Sequence, residues 1–403
     1  MGTIYKCSDK LLTIFLNGRI DSNSSAELDS KISEALEKFP NEDVILNAEK
    51  LEYISSAGLR VLLKLQKKKE QKLKIINTSL EIYDILDVTG FINMFDVQKR
   101  IREVSVDGCK LIGQGASSKV YRINDDTIVK IFDKKIGFDR VKSEQEHAKA
   151  AFVNGIPTAI AFDIVKCGEC LGTMYELIDA SPLPVFLRDN PDKAPEYRKR
   201  YALLMKELHQ LKMPESFQDV ISLYETWIHK LEYLLTDEEV KGLLELISLI
   251  PKRDTFVHCD FHVGNIMMQN DELVLVDMAD IGKGNPVIDI GTAYFHYKLL
   301  ADHPVTKFTI KVVFGFMPDD ISFSYDIWDD LVTYYFNPAT QEDRDKINMI
   351  ASVIGNIRYI VLCAKHSQLD EDLKKEIIEG ARTRFFPHIE EYKDVLKDMD
   401  IYF

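Results

Sequence analysis

Between Phe256 and Asp277 the chain carries residues whose types and order suit one kind of chemistry. His258, Asp260 and Asn265 stand as HxDxxxxN, a polar turn follows at Gln269 to Glu272, and Asp277 closes the apolar run Leu273 to Val276. Asp260 can orient, or deprotonate, an acceptor hydroxyl. Asn265 and Asp277 offer oxygen ligands to a Mg2+ that bridges nucleotide phosphates. His258 is better suited to fixing the loop than to transferring a proton. Alone, such a pattern arises by chance, and its weight comes from what precedes it.

Upstream, Gly113, Gly115, Ser117 and Ser118 form a glycine-rich turn between two strand-like runs, where glycines let backbone amides approach phosphates. No Gly-Lys-Ser/Thr follows, which excludes a Walker A loop. Lys130 sits inside the apolar strand Ile128 to Phe132, where a lysine must face a phosphate or a carboxylate. Glu144, in the helical segment that follows, supplies that carboxylate, with Glu146 as rival. Glu144 is preferred because it places Ala148, Ala151 and Phe152 inward at i+4, i+7 and i+8. Glu176 and Ile178 end a strand that leads into a stretch of small residues.

Turn, strand lysine, helix glutamate, strand end, catalytic loop and metal aspartate thus occur in one order, which resembles that of the protein-kinase-like superfamily. HCDFHVGN (258–265) is similar to the HGDxHxxN loop of aminoglycoside, choline and related small-molecule kinases rather than to the HRD loop of protein kinases. Asp277 to Asp289 likewise resembles their metal loop and G-x-P-x-x-D segment. The resemblance implies a bilobal fold over about 109–403, ATP and Mg2+ as cofactors, and adenine bound by backbone groups of Glu176 and Ile178. It also implies that Asp289 buttresses the catalytic loop. Cys259 stands where these kinases usually have glycine. His209, at the end of a C-lobe helix, is read as a packing histidine.

After residue 300 the chain reads as mostly helical. Acidic clusters at Asp319-Asp320, Asp326, Asp329-Asp330 and Glu342-Asp343 alternate with Phe323, Tyr325, Trp328, Tyr334, Tyr335 and Phe336. In related kinases such a region binds the acceptor, often a cation, through carboxylates and aromatic faces. Solvated helix faces and core packing explain the same residues one by one.

Residues 1–100 alternate strand-like and helix-like segments. Leu11–Leu16, Val44–Leu46 and Leu73–Ile76 read as strands, Ser24-x-x-Glu27 as a capping box opening a helix, and 56–69 and 80–86 as helices. Tyr53 to Val61 (YISSAGLRV) and Asn17 to Leu28 (NGRIDSNSSAEL) resemble the STAS domain of anti-sigma-factor antagonists. That resemblance implies a β/α sandwich that docks a protein partner. It also implies a phosphorylatable serine at the helix start, aligned with Ser56, with Ser55 where regulated members carry aspartate. A serine there also serves as an ordinary N-cap.

The expected architecture is α+β with two domains: a STAS-like domain over 1–100, a linker over 101–108, a kinase N-lobe and hinge over 109–180, and a C-lobe over 181–403 that includes the acceptor region. A formal net charge of -14 disfavours nucleic-acid and anionic-membrane binding. The N-terminal segment lacks a signal-peptide core, and apolar stretches such as Val312 to Met317 fall short of a bilayer span, so a cytoplasmic protein is expected. Cys167 and Cys170 form a CxxC with no partner pair, read as a hairpin turn rather than a zinc site. The function expected is transfer of the ATP γ-phosphate to the hydroxyl of a small molecule, with a cationic acceptor among the candidates and with STAS for regulation or docking. The alternatives are a STAS-centred regulatory binding protein with a weakly active nucleotide-binding domain, and a kinase directed at proteins, including Ser56.

Overall fold

The computed structural model describes residues 5–402 except 116, 179, 303–310, 312, 317, 319–321 and 366–369. The expected acidic pair Asp319-Asp320 lies outside the described residues. The chain divides into two compact units, Met1–Glu103 and Val104–Phe403.

In the first unit, five strands pair in the order β1 (Tyr5–Ser8), β2 (Leu11–Ile20), β3 (Asp43–Ile54), β4 (Lys74–Thr78) and β5 (Asp96–Lys99). β1 and β2 run antiparallel and the others parallel. Alternation in β2 buries Leu12, Ile14 and Leu16 on one face. Helices α1 (Ser25–Lys38), α2 (Ser56–Gln66) and α3 (Leu80–Val88) cover that face with Leu28, Ile32, Leu59, Leu62, Ile82 and Leu86.

Two helix starts differ from expectation. The capping box at Ser24 and Glu27 does not form: Ser24 has helical backbone angles, and its side chain makes no cap hydrogen bond. The reason is local. Asp21 accepts from the backbone N–H groups of Asn23 and Ser24, and Glu27 pairs with Lys31. At α2 the cap is Ser55, whose side chain accepts from the Gly58 N–H, so Ser56 is the first helical residue and is exposed. Gly58 is required by packing, because a Cβ there would lie 2.6 Å from Ile20 Cγ2 and 2.8 Å from Ile54 Cγ1.

In the second unit, strands β6 (Lys110–Gln114), β7 (Ser118–Arg122), β8 (Thr127–Phe132), β9 (Ala161–Cys167) and β10 (Cys170–Glu176) pair antiparallel in the order 6-7-8-10-9, with helix α4 (Phe138–Val153) beside them. Cys167 and Cys170 face each other across the β9–β10 hairpin, whose turn contains Gly168 at φ 58°. Both thiols are free. Phe152, expected to face inward, is 47% exposed. At i+8 from Glu144 it has rotated well off the inward stripe by the last turn of the helix.

The rest of this unit is mainly helical around two small β ribbons. α5 (Leu183–Asp189), α6 (Ala194–Leu208), α7 (Val220–His229), α8 (Asp237–Ser248) and α9 (Val287–Tyr294) precede α10 (Ser322–Leu331), α11 (Gln341–Lys365) and α12 (Glu371–Arg384). α11 has the length and composition of a membrane span, yet most of its apolar stretch is buried inside the unit. It packs tightly against α9 because both helices carry glycine at the crossing. A Cβ on Gly291 would fall 2.4 Å from Ile354 Cγ2, and one on Gly355 would fall 3.0 Å from the Gly291 carbonyl. That close approach brings the polar residues of α11 to the loop 258–265.

Candidate active site

The loop His258–Asn265 follows a short strand (Thr255–Val257) and is pinned along its length. Asp289, on α9 and fully buried, accepts from the backbone N–H groups of His258 and Cys259, both at 2.7 Å. His209 Nε2 meets the same carboxylate at 3.1 Å, and its Nδ1 lies 2.8 Å from the Tyr335 hydroxyl. Tyr201 donates to the Phe261 carbonyl, and the Val263 N–H donates to the Tyr297 hydroxyl. The Asn265 side-chain amide donates to the Asp260 carbonyl at 3.0 Å. The His258 ring is buried between Phe256 and Phe261, and among the described residues neither of its nitrogens has a hydrogen-bond partner. It therefore fixes the loop by packing.

Cys259 adopts φ 64°, the left-handed region that favours glycine. That conformation explains why glycine suits this position and why the two successive N–H groups can converge on Asp289. Asp277 also has φ 64° and lies just beyond the Ile266–Gln269/Glu272–Leu275 ribbon. Strain of this kind costs on the order of 1–3 kcal/mol per residue and concentrates at functional sites.

On the other side, Lys130 projects from the middle of β8, opposite Val120 on β7 and Thr173 on β10. Its Nζ lies 2.6 Å from Glu144 Oε1 and 3.1 Å from Asp277 Oδ1. Burial works against the lysine charge, but Asp277 and Glu144 outweigh it and raise its pKa well above the usual lysine range. Glu144 is buried, whereas Glu146 is exposed and faces Lys142. Helix α4 presents three polar residues on one face: Arg140 Nη2 reaches Asp280 Oδ1 at 2.7 Å, Glu144 takes Lys130, and His147 Nδ1 lies 3.1 Å from the Ala279 carbonyl.

At the turn between β6 and β7, the Gly115 N–H donates to the Ser118 carbonyl at 2.9 Å. Neither Gly113 nor Gly115 has positive φ, and a Cβ on either would make only ordinary contacts. The fold itself therefore does not demand glycine there. The Glu176 N–H donates to the Ile160 carbonyl and the Leu177 N–H to the Asp126 carbonyl, so an adenine contact from Glu176 would come from its carbonyl.

Sequence reasoning missed the surroundings of Asp260. Its Oδ1 faces Arg358 Nη2 at 3.1 Å and His296 Nε2 at 3.4 Å, and its Oδ2 faces Lys365 Nζ at 3.4 Å and His262 Nε2 at 4.0 Å. Burial alone would raise this carboxyl, but Lys365, the hydrogen bond from His296 and Arg358 hold it well below the usual carboxylate range. His296 lies on a π-helical turn, Phe295–Leu299, that continues α9. Arg358 and Lys365 come from α11. None of the three sits in a local motif, so only the packing reveals them.

Asp260, His262 and His296 bring ligand atoms within 4.8 Å of one another. The His262 Nδ1, however, accepts from the Gly264 N–H, which places the ring proton on the Nε2 that faces Asp260. With two cations also against the carboxylate, this group is a set of donors around Asp260 rather than a metal centre.

The residues expected to hold a cationic acceptor are largely engaged elsewhere. Arg198 meets both Asp330 and Asp326, Arg344 meets Asp329, and Lys346 meets Glu342. Phe323 packs on Phe314 and Phe316, Trp328 on Tyr294, Tyr335 on His209, and the Lys298 ammonium lies over Tyr325.

Residues 108–306 match the model of the phosphotransferase enzyme family, and residues 4–104 match the STAS domain model. The chain thus joins a region that matches the STAS domain to a region that matches the phosphotransferase enzyme family. Its first unit is similar to BtrV of Bordetella bronchiseptica, named as an anti-sigma factor antagonist, at 29% identity over 92 residues, covering 22% of this chain and 78% of that protein. Among solved structures, a choline/ethanolamine kinase family protein from Mesorhizobium loti aligns at 15% identity and a TM-score of 0.46, covering 72% of this chain and 92% of its own. The gentamicin complex of APH(2")-IIa aligns at 16% identity and a TM-score of 0.46, covering 78% and 99%.

Proposed function

We propose that this protein transfers the γ-phosphate of ATP to a hydroxyl group of a small molecule, using Mg2+, and that its STAS domain docks a protein partner or regulates the kinase. One observation carries the reading. Lys130, drawn from the strand sheet, and Asp277, next to the catalytic ribbon, meet at 3.1 Å, although 147 residues separate them. In that assembly Asp277 is the accessible member, its side chain 42% exposed where Lys130 and Glu144 are 16% and 4%. A hard oxygen donor turned outward beside a buried, paired lysine suits a magnesium-bound phosphate chain.

In this reading ATP supplies the phosphoryl group, and Mg2+ neutralises its developing charge. Asp277 and the side-chain oxygen of Asn265 would hold the metal, Lys130 steadied by Glu144 would hold phosphate oxygens, and the glycine-rich turn at Gly113 to Ser118 would contact the same phosphates. Glu176 and Ile178 contact adenine through the backbone. Asp260 accepts a hydrogen bond from the acceptor hydroxyl and sets its line of approach. With its pKa lowered, Asp260 is a weak base, so its contribution is orientation and electrostatics more than proton abstraction. The protein would act in the cytoplasm. Ser56, exposed at the first position of α2, is a candidate phosphoacceptor, since a phosphate there meets the positive end of the helix.

The reading is tested by ATP consumption with Mg2+ against aminoglycosides, amino alcohols, sugars and nucleosides. Acceptor-dependent ADP formation that Asp260→Ala abolishes supports it. Tight MgATP binding with no acceptor turned over would count for a regulatory binder instead.

A further inference from the structure

Helix α11 lies beyond the residues that match the phosphotransferase family model, which end at 306. It is an apolar core helix, with Ile347, Ile350, Ile354, Ile357 and Val361 buried, yet it carries Arg358 at 1% exposure. A buried guanidinium is costly unless its donors are satisfied. Here Nη2 meets Asp260, while Nε and Nη1 have no hydrogen-bond partner among the described residues. Structural stability alone does not account for an arginine held so incompletely. Among the described residues, its one hydrogen-bonded partner is the carboxylate at the centre of the site. Lys365 stands seven residues further on, two turns along the same helix face. Its Nζ bridges Asp260 Oδ2 at 3.4 Å and Asp280 Oδ2 at 3.0 Å. Asp280 in turn binds Arg140 of α4 at 2.7 Å, one turn from Glu144.

We propose that Arg358 and Lys365 are positioning residues for phosphoryl transfer: Arg358 fixes the orientation of the Asp260 carboxylate, and Lys365, through Asp280 and Arg140, couples that carboxylate to the helix that holds Glu144 on Lys130. This rests on the reading of Asp260 as the group that orients the acceptor. The ladder Arg358–Asp260–Lys365–Asp280–Arg140 makes the geometry of the nucleotide lysine and that of the acceptor carboxylate one cooperative arrangement. A displacement of α4 therefore loosens Asp260 without any contact between them.

The test uses the full chain and its hydrolysis of MgATP, with water as the acceptor, together with hydrogen exchange of the loop 258–265. Arg358→Met and Lys365→Met are expected to lower kcat by about tenfold or more, the loss typical of a charge-assisted hydrogen bond, while KM for ATP changes by less than about twofold. Arg358→Lys restores part of the rate. In an Asp260→Asn background, adding Arg358→Met lowers the residual rate no further, because the arginine acts through the lost carboxylate. Amide exchange in 258–265 quickens in Arg358→Met, a readout that decides even where hydrolysis is too slow to follow. Wild-type kcat and exchange in both methionine variants would overturn the proposal. So would losses that multiply with Asp260→Asn, since that is the behaviour of a residue acting on the fold alone. Absence of MgATP binding by the unmodified chain would instead remove the kinase reading beneath it.

Discussion

The two units bury different things. Among the described residues, the core of Met1–Glu103 is apolar apart from Thr78, whereas the core of Val104–Phe403 encloses Glu144, His209, His258, His262, Asp280, Asp289, His296, Arg358 and Lys374. Apolar burial with satisfied backbone needs nothing further to be stable. Buried ionisable groups oppose folding unless each finds a partner, so their concentration around one loop marks where selection for chemistry overrode selection for stability. In the proposed function the first unit serves recognition or regulation and the second holds the reaction site.

The sharpest way to break this contrast is to remove the charges that carry the chemistry. Asp260→Ala should lower transfer by on the order of 10²–10⁴-fold while nucleotide affinity stays within about twofold, as read by steady-state kinetics and calorimetry. Asp277→Ala should reduce both, because it removes the proposed metal ligand and a partner of Lys130. Equal effects of the two substitutions on nucleotide affinity would erase the division of roles.

A pH titration sharpens the contrast next. All nine histidines follow residue 140, and the first unit has none. Burial and neighbouring positive charge lower the His262 pKa well below its ordinary value, and burial lowers that of His296. A histidine kept neutral in the folded state takes up a proton near pH 6.5 once unfolded. Folding is therefore favoured above that pH and loses stability as pH falls below it, by at most about 1.4 kcal/mol per pH unit for each such group. Asp260 and Asp280, whose folded pKa values lie below the ordinary value, add a second loss only below about pH 4. Urea unfolding at pH 7 and pH 5, followed through Trp227 and Trp328, both buried in the second unit, should show its midpoint fall. Hydrogen exchange in β2 and β3 should show the first unit unchanged over the same range.

Smaller effects separate packing from capping in the first unit. Gly58→Ala should destabilise it by about 1–3 kcal/mol, since Ile20 and Ile54 must move for a Cβ. Ser55→Ala should cost about 1 kcal/mol as an N-cap loss, and Ser56→Ala less than about 0.5 kcal/mol. A larger effect at Ser56 than at Ser55 in urea unfolding would reverse the assignment of the cap.

These differences also explain what could be read from sequence. Groups that act within a short stretch leave a pattern. The loop His258–Asn265 needs Asp260 and Asn265 at fixed spacing, because the Asn265 amide closes back on the Asp260 carbonyl. The strands of the first unit show themselves through the alternation of Leu12, Ile14 and Leu16. Arg358 could not be found this way, because it reaches Asp260 across 98 residues and sits in a helix that otherwise reads as core. His209 was legible only as a packing histidine, since the Asp289 carboxylate that it meets lies 80 residues on. At Ser24 the failure was of another kind. The capping pattern is present, but Asp21 three residues earlier takes the backbone donors that define the turn. Local rules compete there, and sequence spacing alone does not say which wins.

In the proposed function Lys130, Glu144, Asp277, Asn265 and Asp260 form one working phosphotransfer site. The most direct measurement is the rate of acceptor-dependent ADP formation by the full chain with MgATP, set against the Asp260→Ala protein at matched nucleotide occupancy. Turnover with at least one hydroxyl-bearing small molecule, and its loss in the variant, is the expected result. Equal turnover by the two proteins would contradict it.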